Sequence, residues 1–160
     1  MTTHFLQPQT GTDVTSAIVD ALRTGLGDRL ISVVLFGSRA RQEGRADSDW
    51  DLLVIAAGLP ETTFARRLYL KNLLPASCRG AASILARTPA EFEAQLSSLY
   101  LDVALDGRVL YDPAGYVNRK LAALRQQLGE IGLYRERSPA GDWWRWRNTA
   151  PPNWRENWLK

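Results

Sequence analysis

Two short apolar runs dominate the hydrophobic pattern of the chain. Leu30 to Phe36 (LISVVLF) and Trp50 to Ala56 (WDLLVIA) are rich in β-branched and aliphatic residues, with one or two polar positions each. Runs of this length, bounded by polar turns, predict strands buried on both faces. The segments around them follow a helical period. Val14, Ala17, Ile18, Ala21 and Leu22 recur on one face after Asp13, a candidate cap, and Gly25 and Gly27 close that helix. Residues 38–43 read as one or two helical turns, and 44–48 as a polar loop. Residues 61–74 predict a helix with Phe64, Leu68 and Leu73 among its apolar positions. Gly80 to Ala86 predicts a third strand. Thr88-Pro89-Ala90-Glu91 is a capping-box pattern opening a helix to about Leu101 or Leu105. Arg108 to Tyr111 predicts a short strand. Asp112-Pro113 opens a last helix through Leu121, Leu124 and Leu128 to Gly129. The order is an α/β (α+β) domain with a small mixed sheet flanked by helices.

Composition narrows this modestly. The chain has 160 residues, 45% hydrophobic, which suits one domain with a core. The expected division is a flexible segment 1–12, a domain 13–132 and a Trp/Arg-rich C-terminal arm 133–160. Cys78 has no cysteine to pair with, as in a reducing cytoplasm, and reads as a small apolar filler. Neither a membrane-length apolar run nor a signal core is present, so a cytoplasmic protein is expected. The net charge of +3 resides in residues 135–160, which hold six basic and three acidic side chains. A basic surface spread over the whole domain is therefore excluded. His4 is assigned no role.

The candidate chemistry lies between the two apolar runs. Asp49 and Asp51 are two residues apart at the start of a strand, so both project to one face. Like charges so placed repel and lose hydration unless a cation bridges them, and Mg²⁺ takes such oxygens. The plainer alternative is an exposed pair capping a loop. Upstream, Gly37-Ser38 follows the first strand and opens a helical turn. Free N–H groups there, the Ser38 hydroxyl, and the charges of Arg39 and Arg41 suit a phosphate. Gly37-Ser38 alone would also fit a plain tight turn. The two halves together suit a nucleoside triphosphate with Mg²⁺. The loop is neither a Walker A sequence nor a dinucleotide fingerprint.

Leu35-Phe36-Gly37-Ser38-Arg39-Ala40-Arg41, followed after a ten-residue gap from Ser38 by Asp49-Trp50-Asp51-Leu52-Leu53-Val54, resembles the DNA polymerase β-like nucleotidyltransferase superfamily. It is most similar to the minimal nucleotidyltransferases, small proteins often encoded beside a HEPN-domain partner. The resemblance covers roughly residues 13–112. It implies the polymerase β-like fold, Ser38 on the triphosphate, and Asp49 and Asp51 as catalytic ligands of Mg²⁺, with two ions possible; the residue reading adds Gly37, Arg39 and Arg41 to the phosphate-binding set. It implies transfer of a nucleoside monophosphate, AMP from ATP foremost, to a hydroxyl, with a HEPN-type toxin as acceptor and this chain as antitoxin. The alternatives are a catalytically silent antitoxin acting by binding, and transfer to an antibiotic or to RNA. The family usually carries a third carboxylate on the next strand. Here that strand reads Gly80-Ala81-Ala82-Ser83-Ile84-Leu85-Ala86, with no acid. Asp102 and Asp106 are the only nearby replacements, on helical or turn positions. Tyr111-Asp112 matches a recurring end-of-domain pattern, for which structural packing is the plainer reading.

The arm carries five of the six tryptophans, with Trp144 and Trp146 alternating with Arg145 and Arg147 as in a half-exposed strand. Three fates are open to it: folding back on the domain, a protein interface (a partner or a homo-oligomer), or RNA, by stacking plus charge.

Overall fold

In the computed structural model, which describes residues 11–157, a four-stranded sheet is covered on both faces by helices. The strands are β1 (Leu30–Phe36), β2 (Trp50–Ala56), β3 (Ala82–Arg87) and β4 (Arg108–Tyr111), in spatial order β3-β2-β1-β4. β1 runs antiparallel to β2 and β4, and β2 runs parallel to β3, so the sheet is mixed. Alternation along β1 explains its unbroken apolar run. Val33 and Leu35 face α1 (Gly11–Leu26), α3 (Thr63–Leu73) and α4 (Ala76–Arg79). Val34 faces α5 (Pro89–Ala94), α6 (Ser98–Asp106) and α7 (Tyr116–Ile131). With both faces covered, five of the seven β1 positions are buried, and Ile31 and Phe36 are partly so.

The expected first segment lies largely outside the described residues, as does His4. α1 begins at Gly11, so Asp13 lies in its first turn, where a negative charge favours the helix end. The strands β1, β2 and β4 coincide with the predicted ones. The predicted helix from Thr88 is two helices, broken at Gln95 (φ −147°), with Ser97 accepting from Leu99 N–H to cap the second. The face of α3 also differs from expectation. Phe64 (77% exposed) and Leu68 (52%) point to solvent, and Arg66 and Leu70 point inward. Arg66 tolerates burial because Glu91 takes it through two oxygens, at 2.6 and 2.8 Å, and the Pro60 carbonyl takes its Nε. Asp112 acts as a brace: Ser32 Oγ donates to it at 2.8 Å, as do the N–H groups of Val117 and Asn118 opening α7. Among the described residues, no helix is long and apolar enough to cross a membrane.

Glu91 gives a pH test. Hydrogen bonds from Arg66, then from the Thr88 backbone, hold its carboxyl down at about 2, against 4.5 unfolded. A depressed carboxyl stabilises the fold above the unfolded value, and that stability is lost as pH falls towards the folded one. The carboxylate is 41% exposed, so solvent screening leaves about 1 kcal/mol. Glu91→Gln should therefore melt about 2–4 °C below the parent at pH 7. The gap should narrow as pH falls below 4.5. Thermal melts from pH 7 to 3 check this.

The last described segment is a hairpin, β5 (Leu133–Ser138) and β6 (Gly141–Trp146), followed by a single 3₁₀ turn at Trp154–Asn157. The sequence pattern suggested only the second strand. Trp144, Trp146 and Trp154 are half-buried against the α6–α7 side of the core, and Trp143 is exposed. Trp146 and Trp154 meet edge to face at 5.2 Å. Trp158 lies outside the described residues.

Candidate functional site

The site is built at the end of β1. Phe36 pairs with Asp51 across the β1–β2 ladder, and the chain then turns sharply through Gly37 at φ +73° into the single turn α2 (Gly37–Ala40). A Cβ on Gly37 would lie 2.4 Å from Asp51 Oδ2, so glycine is required both for the left-handed backbone and for the carboxylate beside it. Gly37→Ala should cost about 1–2 kcal/mol in backbone strain and displace Asp51. A lowered melting temperature of the Gly37→Ala variant is the expected result.

Around Asp51 the fold gathers Gly37, Asp49, Arg41 and Ser83. Ser83 is the register partner of Asp51 on β3, which sets its hydroxyl side chain beside the carboxylate. Burial, then the charge of Asp49, pushes the Asp51 carboxyl up, with Ser83 and Arg41 working the other way. Asp49 is exposed and Asp51 half-buried, with Trp50 between them packed into the core. Ser38 is half-buried, and its carbonyl accepts from Glu43 N–H at 2.9 Å.

The two arginines have different surroundings. Arg39 lies over the Trp50 ring at 4.1 Å and donates to the carbonyls of Ser48 (2.8 Å) and Ala46 (3.2 Å). It staples the loop that delivers Asp49 and Asp51. Gly44 leaves room for it, since a Cβ there would lie 2.7 Å from Arg39 Cγ. Arg41 pairs with Glu43 at 2.7 Å and approaches Asp106 at 3.9 Å. Neither Asp102 nor Asp106 stands free as a substitute carboxylate. Arg135, with its side chain 6% exposed, donates to Asp102 at 3.1 Å and to Asp106 Oδ1 at 2.7 Å, and forms an ion pair with Asp106 Oδ2 at 2.7 Å. Burial raises the Asp106 carboxyl, but Arg135, with Arg137 and Arg41, outweighs it and holds the group low. An acid so stabilised in its charged form is a weak base.

Sequence reasoning missed Glu43, Arg135 and Arg137. Arg137 on β5 bonds Glu43 at 3.0 Å, so the C-terminal hairpin reaches the turn that carries Ser38. Between them lies a cleft of ≈ 610 Å³ lined by Arg41, Glu43, Arg137, Pro139 and Asp142. The only local signal was the excess of arginine in the arm.

A mixed sheet with a glycine turn against paired aspartates defines a nucleotidyltransferase-type domain. The family model described as polymerase beta, nucleotidyltransferase matches residues 23–112, and the chain belongs to that family. "Putative protein adenylyltransferase MJ1305" of Methanocaldococcus jannaschii is 48% identical over 48 residues, 30% of this chain. The chain spans about a third of that relative's length (33%). A crystal structure of a toxin–antitoxin with AMP-PNP matches 72% of this chain and 90% of its own, at 21% identity and TM-score 0.53. A mutant MntA-HpeT toxin–antitoxin structure matches 72% and 89%, at 20% identity and TM-score 0.51. At these identities the two structures establish the fold.

Proposed function

We propose that this protein transfers AMP from ATP to a hydroxyl on a partner protein, with Asp49 and Asp51 at the reacting centre. The observation that carries the reading is the Asp51 carboxylate against Gly37 at the turn into Ser38. The acceptor oxygen forms a bond to the α-phosphorus, the bond from that phosphorus to the β-phosphate oxygen breaks, and pyrophosphate leaves. Ser83 occupies the β3 position beside Asp51, so the hydroxyl proton goes to water rather than to a third acid. Ser38 and Arg41 hold the triphosphate. Arg39 fixes the loop, and its donors serve the loop carbonyls.

The donor set fits a divalent ion shared with substrate. Asp49 and Asp51 offer hard oxygens whose mutual repulsion a cation relieves. Among the described residues, no group of three or more His, Cys, Asp or Glu forms an all-protein cage. Mg²⁺ held by this pair would neutralise charge developing on the phosphates.

The partner class rests on the minimal-nucleotidyltransferase resemblance, together with the toxin–antitoxin structures that share the fold. A HEPN-type toxin is the expected acceptor, and a cytoplasmic setting follows from that pairing. A second reading, an antitoxin that binds without transferring, is favoured by Ser83 standing where a carboxylate would assist the acceptor. Calorimetric titration with Mg·ATP should show binding to the parent protein and none to folded Asp49→Asn/Asp51→Asn. Equal binding to both would sink the assignment of the site.

A further inference from the structure

We propose that Arg137, on the C-terminal hairpin, is a positioning residue for nucleotide: it keeps Glu43 neutralised so that Arg41 is released to the phosphates. The inference rests on the nucleotide reading of the site. Arg137 duplicates both acidic partners of Arg41. Glu43 gives Oε2 to Arg41 Nε at 2.7 Å and Oε1 to Arg137 Nη1 at 3.0 Å. Asp106 Oδ2 lies 3.9 Å from Arg41 and 3.6 Å from Arg137. The two arginines differ in reach. Arg41 directly follows α2, and its charge is felt at Asp51. Arg137 stands across the cleft.

An arginine that turns to a phosphate must leave its carboxylate, and a carboxylate left alone opposes the move. With Arg137 on the other oxygen, Glu43 stays paired when Arg41 departs. The geometry of Glu43 has a local cost that the clamp helps to hold. Gln42, just before it, is a non-glycine residue at φ +61°. Glu43 N–H holds the Ser38 carbonyl. The hairpin thus reaches the turn that carries Ser38 through the Arg137–Glu43 bond, whose two ends lie 94 positions apart in sequence. The side chains of Arg137 and Glu43 are about half exposed (51% and 50%), so their pair adds little to stability. Its effect belongs in ligand binding.

The test measures the dissociation constant for Mg·ATP by calorimetry on the full chain, with a thermal melt of each variant. Arg137→Ala should weaken binding about two- to fivefold, the range set by one exposed ion pair, with little change in melting temperature. Arg137→Lys, which keeps the charge, should stay near the parent. Arg137→Ala combined with Glu43→Gln should return to near the parent value, because the competitor for Arg41 is gone. An unchanged constant in Arg137→Ala overturns the proposal, and so does a double variant as weak as the single one. A parent protein that binds no Mg·ATP overturns the nucleotide reading first and this one with it, an outcome distinct from the other two.

Discussion

Replacing Asp49 and Asp51 together with asparagine is expected to abolish nucleotidyl transfer and to raise the melting temperature. The two effects have one cause. Burial and the neighbouring Asp49 charge push the Asp51 carboxyl above its unfolded value. The ionised group therefore opposes folding at neutral pH, where the unfolded chain carries it more easily. Asparagine keeps the shape and removes the repulsion, so the fold gains. Function loses the oxygens that would hold a cation and, with it, the stabilisation of charge on the phosphates, a contribution of several kcal/mol to the barrier. A fall of about a thousandfold or more follows from that magnitude. Differential scanning calorimetry and a transfer assay on the same preparation read both. A variant that is less stable and still active would contradict the site and its electrostatics together.

Truncation after Gly132 is the second large effect. The hairpin lays Trp144, Trp146 and Trp154 half-buried against the α6–α7 side of the core, and Leu133 is buried with them. Half-burial of three such rings removes on the order of 300 Å² from water. That contributes on the order of 5 kcal/mol once the compactness of the unfolded chain is allowed for. The cut also removes Arg135, leaving Asp102 and the largely buried Asp106 without their main counter-ion. A melting temperature lower by more than about 10 °C is expected. Arg135→Ala alone should cost about 3 kcal/mol, since breaking a buried pair strands the remaining charge. If the truncated protein melts with the full chain, the hairpin does not support the core. A truncated protein that has instead lost only salt-sensitive RNA binding would favour the nucleic-acid reading of the tryptophans.

What was legible in the sequence was local. β1, β2 and β4 are apolar runs ended by glycine, proline or aspartate, and their limits follow from that punctuation. Gly37 and Asp51 meet because two adjacent antiparallel strands must bring Phe36 opposite Asp51. What was misread depends on distant partners. Phe64 and Leu68 read as the inner face of α3, but Glu91, 25 residues from Arg66, neutralises that arginine and lets it turn inward in their place. The break at Gln95 was hidden because apolar spacing continues through Leu96 and Leu99 into α6. Arg39 has a structural part that its position did not show, holding the loop carbonyls at Ala46 and Ser48. The charge cluster joining Glu43 to Arg137 spans 94 positions and has no periodic signature at all.

The most direct test of the central claim is label transfer. The protein is incubated with Mg²⁺ and a HEPN-type partner protein, once with ATP labelled at the α-phosphate and once at the γ-phosphate. Partner protein labelled from the α-position only, gaining the mass of one or more AMP groups, is the predicted result, and Asp49→Asn/Asp51→Asn should leave the partner unlabelled. A partner that forms a complex with the chain, yet carries neither label under conditions where Mg·ATP binds, would contradict transfer and leave an antitoxin that acts by binding alone.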